Sequence, residues 1–274
     1  MHLAPAVFGG AADTHRPPVS ALFTLTPAES KRLIAKGVAV LPSVRQALRQ
    51  GKVIVATGST NGYVAEELLG RPFAKENFLS GVVPGGYYSS LPAASRLAPV
   101  VFIDGKLTAV QPATVLPDFT ADDVFIKGAN AIDRLGHVGI LNADPTGGTI
   151  GQALPIINAR GSRLIVPVGL EKMIPSVAEA ARRLGIERLT HGLPGPGGEA
   201  KTGMVPLINA DVVTEIVALR ILAGVTATHV ASGGVNGAEG SAGFVIEGSA
   251  PAVERALTLI KNIKGEPNLI IPGV

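Results

Sequence analysis

A short run of small polar residues, Thr57-Gly58-Ser59-Thr60, has the composition of an anion-binding turn. It follows the apolar run Val53–Ala56 and precedes a segment that predicts a helix ending at Gly70. A turn between a strand and a helix offers main-chain N–H groups, the positive end of the helix and hydroxyl groups to one phosphate or carboxylate. The alternative is a glycine-containing turn whose hydroxyls only cap the helix. The spacing favours neither interpretation over the other.

A second set of polar residues follows the strand that we predict at Asp122–Ile126. Candidate ligand contacts in this segment are Lys127, Gly128 and Asn130, and Asp133 is a candidate catalytic carboxylate. A lysine at the end of a strand in an open α/β sheet can pair with a phosphate, or it can simply be solvated. Asn130 is alternatively a left-handed turn residue, and Asp133 is alternatively a carboxylate that closes a turn.

A third set lies in the turn-rich segment NADPTGGTIG, at residues 142–151. Asp144 is the second candidate catalytic carboxylate, and Gly147, Gly148 and Thr149 are candidate ligand contacts. Asp144 stands before a proline and a double glycine, a position where aspartate often starts a turn. We expect the first and third sets to border one hollow together with Asn130.

Composition excludes several classes of site. The 274 residues include no cysteine, so disulfides, thiolate catalysis and Cys-ligated zinc are excluded. The 5 histidines form no ligand pattern, so no metal site is predicted and the cofactor is left unassigned. The net charge is +3 and the basic residues are scattered, which argues against nucleic acid. No segment has the apolar length of a membrane span, and we expect a cytoplasmic protein.

Strands that alternate with helices predict the elements that position these residues. We expect an α/β protein with a Rossmann-like, open, mainly parallel sheet and a small C-terminal α+β subdomain. Thr26 and Glu29 form a predicted capping box, and Asp104-Gly105 predicts a hairpin. The expected divisions are an N-terminal arm (1–20), the Rossmann-like domain (21–190), a Gly/Pro-rich linker (191–203), the subdomain (204–266) and a tail (267–274).

The run from Glu29 to Gly70 resembles the N-terminal segment of ribose-5-phosphate isomerase, with its helix, apolar strand, Gly-Ser-Thr loop and second helix. The sequence FIKGANAID, at residues 125–133, is similar to the strand and Gly-Ala-Asp turn of the wider superfamily, which includes glucosamine-6-phosphate deaminases and coenzyme A transferases. The two motifs and the GGTIG loop cover about residues 27–170. The resemblance implies a ligand-binding sheet of the isomerase and transferase kind.

The departures from that pattern concern the acidic groups. The isomerase motif Asp-Gly-Ala-Asp-Glu corresponds here to Lys127, Gly128, Ala129, Asn130 and Ala131. An amide has no useful pKa and cannot replace a carboxylate that moves a proton. We therefore do not expect ribose-5-phosphate isomerase activity.

Two functions remain open on these grounds. The first is an enzyme or binding protein, an isomerase or transferase if catalytic, that acts on a phosphorylated or other anionic small molecule such as a sugar phosphate, nucleotide or acyl-coenzyme A. The second is a non-catalytic regulatory or assembly protein that keeps the fold. In either case we expect a homo-oligomer, with a dimer as the simplest form.

Overall fold

A computed structural model describes residues 18–195 and 198–271 as a mixed α/β protein. The helices of this part are α1 (Pro27–Ala39), α2 (Pro42–Gln50), α3 (Ser59–Leu69), α4 (Pro112–Val115), α5 (Gly148–Arg160), α6 (Val177–Arg183), α7 (Glu215–Ala223) and α8 (Ala250–Ile263). Its strands are β1 (Val19–Leu25), β2 (Lys52–Val55), β3 (Gly81–Val82), β4 (Ser89–Ser90), β5 (Val100–Ile103), β6 (Lys106–Thr108), β7 (Val124–Ile126), β8 (Ala131–Ile132), β9 (Val138–Asn142), β10 (Arg163–Pro167), β11 (Pro194–Gly195), β12 (Gly198–Glu199), β13 (Gly203–Leu207), β14 (Asp211–Val213), β15 (Thr226–Gly233) and β16 (Ser241–Gly248). None of the helices in these ranges is long and apolar enough to cross a membrane.

The largest sheet has six strands in the order β14-β10-β7-β2-β5-β6. Neighbouring strands from β14 to β2 are parallel, whereas β5 and β6 are antiparallel to their neighbours. The sheet is therefore mixed, with a parallel part and an antiparallel edge. Asp104 and Gly105 both have positive φ in the tight turn between β5 and β6, which confirms the predicted hairpin.

Both faces of this sheet are covered, as the near-continuous apolar runs of its strands require. Val53 and Val55 face a cluster that includes residues of α1, α3 and α7, whereas Ile54 faces a second cluster that includes residues of α5. The same alternation holds in β7, where Val124 and Ile126 lie on the first side and Phe125 on the second. All of these strand residues are fully buried.

Helix α1 begins at the predicted capping box, with Thr26 Oγ1 accepting from the Glu29 N–H and Glu29 Oε2 accepting from the Thr26 N–H. Gly37 of this helix packs directly on Ala218 of α7: a Cβ added at Gly37 would lie 2.8 Å from the Ala218 Cβ. The close approach brings the start of α7, residue Glu215, against the buried face of α1.

A smaller antiparallel sheet has the order β1-β16-β15. Helices α7 and α8 pack against it, so the C-terminal part has the order α-β-β-α, with β1 added at one edge of the sheet. A third sheet, β13-β9-β8, is made of short strands. Two further hairpins pair β3 with β4 and β11 with β12.

Strand pairing crosses the boundaries predicted from the sequence. Val19 and Ser20, assigned to the N-terminal arm, begin β1 and pair with Gly248 and Glu247; residues 1–17 lie outside the described ranges. The segment Asp211–Val213, which lies in the predicted C-terminal subdomain (204–266), is a strand of the large sheet. The predicted linker contains β11 and β12, and residues 196 and 197 are not described. The division into domains stays a prediction.

Candidate functional site

The turn between β2 and α3 places Thr57 to Thr60 at the carboxyl end of a parallel strand. Gly58 is the N-cap of α3, and no side chain caps this helix. The Thr57 hydroxyl instead contacts the Ser80 hydroxyl, at 2.9 Å. The first-turn N–H groups of a helix have no intrahelical acceptor. The arrangement thus differs from the simple capping alternative, because no hydroxyl of the turn caps α3.

Buried polar atoms lie at the first turn of α3. Thr60 and Asn61 are almost fully buried, and in the described part of the chain Thr60 Oγ1 and Asn61 Oδ1 have no hydrogen-bond partner. Asn61 Nδ2 donates to the carbonyl oxygens of Ala56, at 2.6 Å, and Ile126, at 3.3 Å. Asn61 therefore bridges main-chain carbonyl groups at the carboxyl ends of β2 and β7. No sequence pattern selects Asn61, because its hydrogen-bond partners are main-chain atoms.

Two lysines meet at the ends of β7 and β10. Lys127 Nζ donates to the Thr57 carbonyl at 3.1 Å, and Lys172 Nζ donates to the Ala129 carbonyl at 2.9 Å. Within residues 18–195 and 198–271 neither ammonium group contacts a carboxylate. Burial, together with the nearby charge of Lys172, lowers the pKa of Lys127 to about 8. These are uncompensated positive charges beside the positive end of α3.

The main chain after Lys127 passes close to α3. A Cβ added at Gly128 would lie 3.5 Å from Asn61 Oδ1, so the predicted contact residue Gly128 faces the buried amide of α3. Asn130 is exposed and belongs to the next turn: its N–H donates to the Gly139 carbonyl, and its Oδ1 accepts from the Leu141 N–H at 3.0 Å. These contacts fit the turn alternative for Asn130.

A row of charged groups continues from Lys172 toward α1 and α7. Lys31 Nζ lies 3.8 Å from Glu171 Oε1, and Glu171 Oε2 is buried with no partner among the described residues. Burial lowers the pKa of Lys31 to about 8, with Glu171 opposing this shift and Lys172 adding to it. No pattern in the sequence distinguishes Lys31 or Glu171 as a site residue.

Glu215 is the innermost member of this row. It is fully buried, and its two carboxylate oxygens accept from the Leu170 N–H at 3.2 and 3.0 Å. Burial and the nearby charge of Glu171 raise its pKa to about 7, against hydrogen bonds from Ser30 and the main chain. The only sequence signal for Glu215 was its place as an acidic residue after Thr214, the N-cap of α7.

Asp133 is held by its own surroundings. It is buried, and its carboxylate accepts hydrogen bonds from the N–H groups of Leu135, His137 and Val177. Burial alone would raise its pKa, but these bonds and the neighbouring His137 hold the pKa below its usual value. The contacts correspond to the turn-closing alternative for this candidate catalytic residue.

The third predicted set lies at the start of α5. Asp144 is exposed and accepts from the Thr146 hydroxyl and N–H, which lower its pKa. Gly147 has φ of 87° and is the N-cap, Gly148 follows it, and Thr149 is partly buried in the first turn. Gly147 borders a cleft of about 480 Å³, whose other walls are Asn142, Asp144, Pro145, Leu184–Arg188 and Gly203–Val205.

The predicted site residues therefore separate into groups. A hydrogen bond joins Lys127 to Thr57, and Gly128 lies next to Asn61 in the first turn of α3. Within the described ranges, no hydrogen bond connects Thr57–Thr60 with Gly147–Thr149, and the cleft beside Gly147 has no wall from residues 57–60 or 127–130. The single hollow expected from the sequence is not evident in these contacts. Nor do the described residues hold a group of three or more His, Asp or Glu side chains suited to a metal ion.

No family model matches the chain, and neither a curated protein nor a solved structure is significantly similar to it.

Proposed function

We propose that this protein binds a phosphorylated or otherwise anionic small molecule at the carboxyl ends of β2, β7 and β10, in a sheet of Rossmann-like arrangement. The observation that carries the proposal is the pair Lys127 and Lys172, whose ammonium groups contact main-chain carbonyls and, within the described residues, no carboxylate. Acyl-coenzyme A, nucleotides and sugar phosphates are the ligand classes that fit this charge.

The position of the pair supports the proposal. Lys127 directly follows β7, Thr57 comes shortly after β2, and Lys172 lies in the turn after β10. Ligands of open α/β sheets bind at the carboxyl ends of the parallel strands. The helix dipole of α3 adds a positive potential at the same edge.

The energetic cost of the two ammonium groups also supports the proposal. A partly buried ammonium group that lacks a counter-ion costs stability, since desolvation disfavours the charged form. Two such groups side by side add mutual repulsion. An anion between them would relieve both costs, which gives a physical reason for a chain to keep them.

Thermal unfolding in the presence of ligands tests the proposal. Inorganic phosphate, ribose 5-phosphate, a nucleotide and acetyl-coenzyme A are compared with unphosphorylated ribose. A true ligand stabilises the protein by about 2.7 kcal/mol at 100 times its Kd. The stabilisation should disappear in Lys172→Met and persist in Lys106→Met, a change at an exposed lysine of β6. Equal behaviour of the two variants, or no stabilisation by any compound, would contradict the proposal.

The second candidate is a non-catalytic assembly protein that forms a homodimer. It is favoured by β15, which pairs on one side with β16 and whose other edge has no neighbour among the described strands. Unpaired edges are templates for pairing with a second chain. Light scattering decides this point: a monomer at micromolar concentration would exclude the dimer.

A further inference from the structure

Three lysine ammonium groups follow one another along the edge of the sheet. Lys172 is close enough to both Lys127 and Lys31 for its charge to lower the pKa of each. Lys31 has a carboxylate neighbour, Glu171 at 3.8 Å. Lys127 has none within residues 18–195 and 198–271, and its recorded polar contact is the Thr57 carbonyl. Lys127, unlike Lys31, therefore holds its proton without a carboxylate neighbour among the described residues.

An amine reacts with a carbonyl carbon only when it is unprotonated. Enzymes obtain such an amine by placing a lysine in a desolvated site next to another cationic group. Lys127 meets both conditions, because it is partly buried and lies beside Lys172. A carbonyl oxygen such as that of Thr57 accepts one N–H without taking the proton, so it orients the amine and leaves the lone pair free.

We propose that Lys127 forms an imine with an aldehyde or ketone whose anionic group lies against Lys172 and the first turn of α3. This inference rests on the proposed anion site and deepens it, since it names the class of ligand: a phosphorylated or carboxylated carbonyl compound. Lys172 provides the charge that holds the ligand, and Lys127 provides the nucleophile.

The step is balanced without any further reactant. The Lys127 nitrogen lone pair attacks the carbonyl carbon, a C–N bond forms, and the C=O π electrons move to the oxygen. The nitrogen loses a proton and the oxygen gains one, which gives a carbinolamine. Loss of water then leaves the C=N bond, so that amine plus carbonyl compound gives imine plus water. No atom is oxidised or reduced.

Trapping with borohydride tests the inference on the full chain. The protein is incubated with glyceraldehyde 3-phosphate, reduced, digested and mapped by mass spectrometry. We expect the adduct on Lys127 to form at least about tenfold faster than on the exposed Lys106, because the desolvated amine is more often unprotonated. Unphosphorylated glyceraldehyde should label Lys127 more slowly, and excess inorganic phosphate should slow labelling by the phosphorylated aldehyde.

Variants complete the test. Lys106→Arg should leave the labelling of Lys127 unchanged, whereas Lys172→Met should slow it several-fold, with circular dichroism used to check that each variant is folded. Labelling of Lys127 at the rate of Lys106 overturns the inference. If inorganic phosphate stabilises the wild-type protein but Lys127 gives no adduct, the imine is wrong and the anion site stands. If phosphate neither stabilises the protein nor protects Lys127, the anion site fails.

Discussion

The Lys127 ammonium group donates a hydrogen bond to the carbonyl oxygen of Thr57 at 3.1 Å, and this bond joins the residues that follow two adjacent parallel strands. It brings the turn at Thr57–Thr60, which the sequence left open between anion binding and helix capping, to a lysine that the sequence left ambiguous. Lys172, which follows the third parallel strand, β10, adds a second positive charge near Lys127. The proposed binding of an anion and the stability of the fold therefore make opposite demands on these charges, and the effect on stability can be measured.

Replacement of Lys127 by methionine should stabilise the protein. The pKa of Lys127 is lowered from 10.5 to about 8, so the folded state binds fewer protons than the unfolded state between these values. The cost of holding the charge is full below pH 8 and vanishes above pH 10.5. Because the side chain is only partly buried, we expect Lys127→Met to gain about 1 kcal/mol at pH 7.

Urea unfolding of Lys127→Met and wild type at pH 7 and at pH 10 checks this. The gain should shrink at the higher pH. A variant that is less stable than wild type at pH 7 would show that Lys127 is compensated in the folded state. Lys106→Met, at an exposed position, serves as the control and should change stability by less than about 0.5 kcal/mol.

Glu215 predicts a pH dependence of the opposite kind. Its pKa is raised from 4.5 to about 7, so its contribution to stability is fully present below pH 4.5 and is lost as the pH rises through 7. The shift corresponds to at most about 3 kcal/mol. Glu215→Gln keeps the shape of the side chain and removes its titration. The groups near Glu215 are Ser30, the Leu170 N–H, Glu171 and the Lys31 ammonium group.

The free energy of unfolding of Glu215→Gln relative to wild type should therefore rise between pH 5 and pH 8. Denaturant titrations at several pH values measure the difference. A difference that is constant across this range would mean that Glu215 does not take up a proton in the folded protein. Glu179→Gln, an exposed carboxylate of α6, is the matched control and should show no such rise.

Arg32 should contribute strongly to stability through three carboxylates. Its guanidinium donates to Glu66, Glu67 and Glu266, and it stacks over the ring of Tyr63 at 4.9 Å. The Arg32 side chain is only 12% exposed. Arg32→Met removes the cation that pairs with Glu266 and leaves Glu66 and Glu67 with Lys75 and Lys36 alone, and we expect a loss of about 3 kcal/mol in the free energy of unfolding.

The control for this change is Arg182→Met. Arg182 pairs with Glu179 on α6, but its side chain is 74% exposed, and such pairs contribute about 0–1 kcal/mol. Both variants can be compared by chemical denaturation at pH 7. Equal, small losses would show that the Arg32 network is screened by water like a surface pair.

The close contact between Gly37 and Ala218 should leave no room for a larger side chain between α1 and α7. A methyl group at Gly37 would lie 2.8 Å from the Ala218 Cβ, so α1 and α7 would have to separate. At a solvent-exposed position inside a helix, Gly→Ala would raise the free energy of unfolding by about 1 kcal/mol. We expect Gly37→Ala instead to lose about 1–3 kcal/mol through overpacking.

The double variant Gly37→Ala/Ala218→Gly transfers the methyl group from one helix to the other. It should recover part of the lost melting temperature, and recovery measured by differential scanning calorimetry identifies the contact as the cause. If Gly37→Ala raises the melting temperature by itself, the two helices are not in close contact at this point.

Elements whose signals are local can be predicted from the amino-acid sequence alone. The capping box of Thr26 and Glu29, the Asp104-Gly105 hairpin and the order of strand, turn and helix around Gly58 all depend on groups a few residues apart, whose hydrogen bonds and dihedral preferences act without help from distant parts of the chain. Strand β14 depends on a long-range contact, because Asp211–Val213 pairs with β10, which is distant in the sequence.

The proximity of charged side chains likewise depends on the tertiary structure. Lys172 and Glu215 stand in unremarkable sequence contexts, and they become unusual only when the crossovers of a parallel sheet bring them near Lys127 and Glu171 and remove water around them. Desolvation and charge proximity are properties of a place in space, so no local pattern encodes them. Ser59 and Gly148 both lie in glycine-containing turns, but the strands that precede them, β2 and β9, belong to different sheets. Sheet membership depends on long-range pairing, so the two turns cannot be placed relative to each other from local sequence.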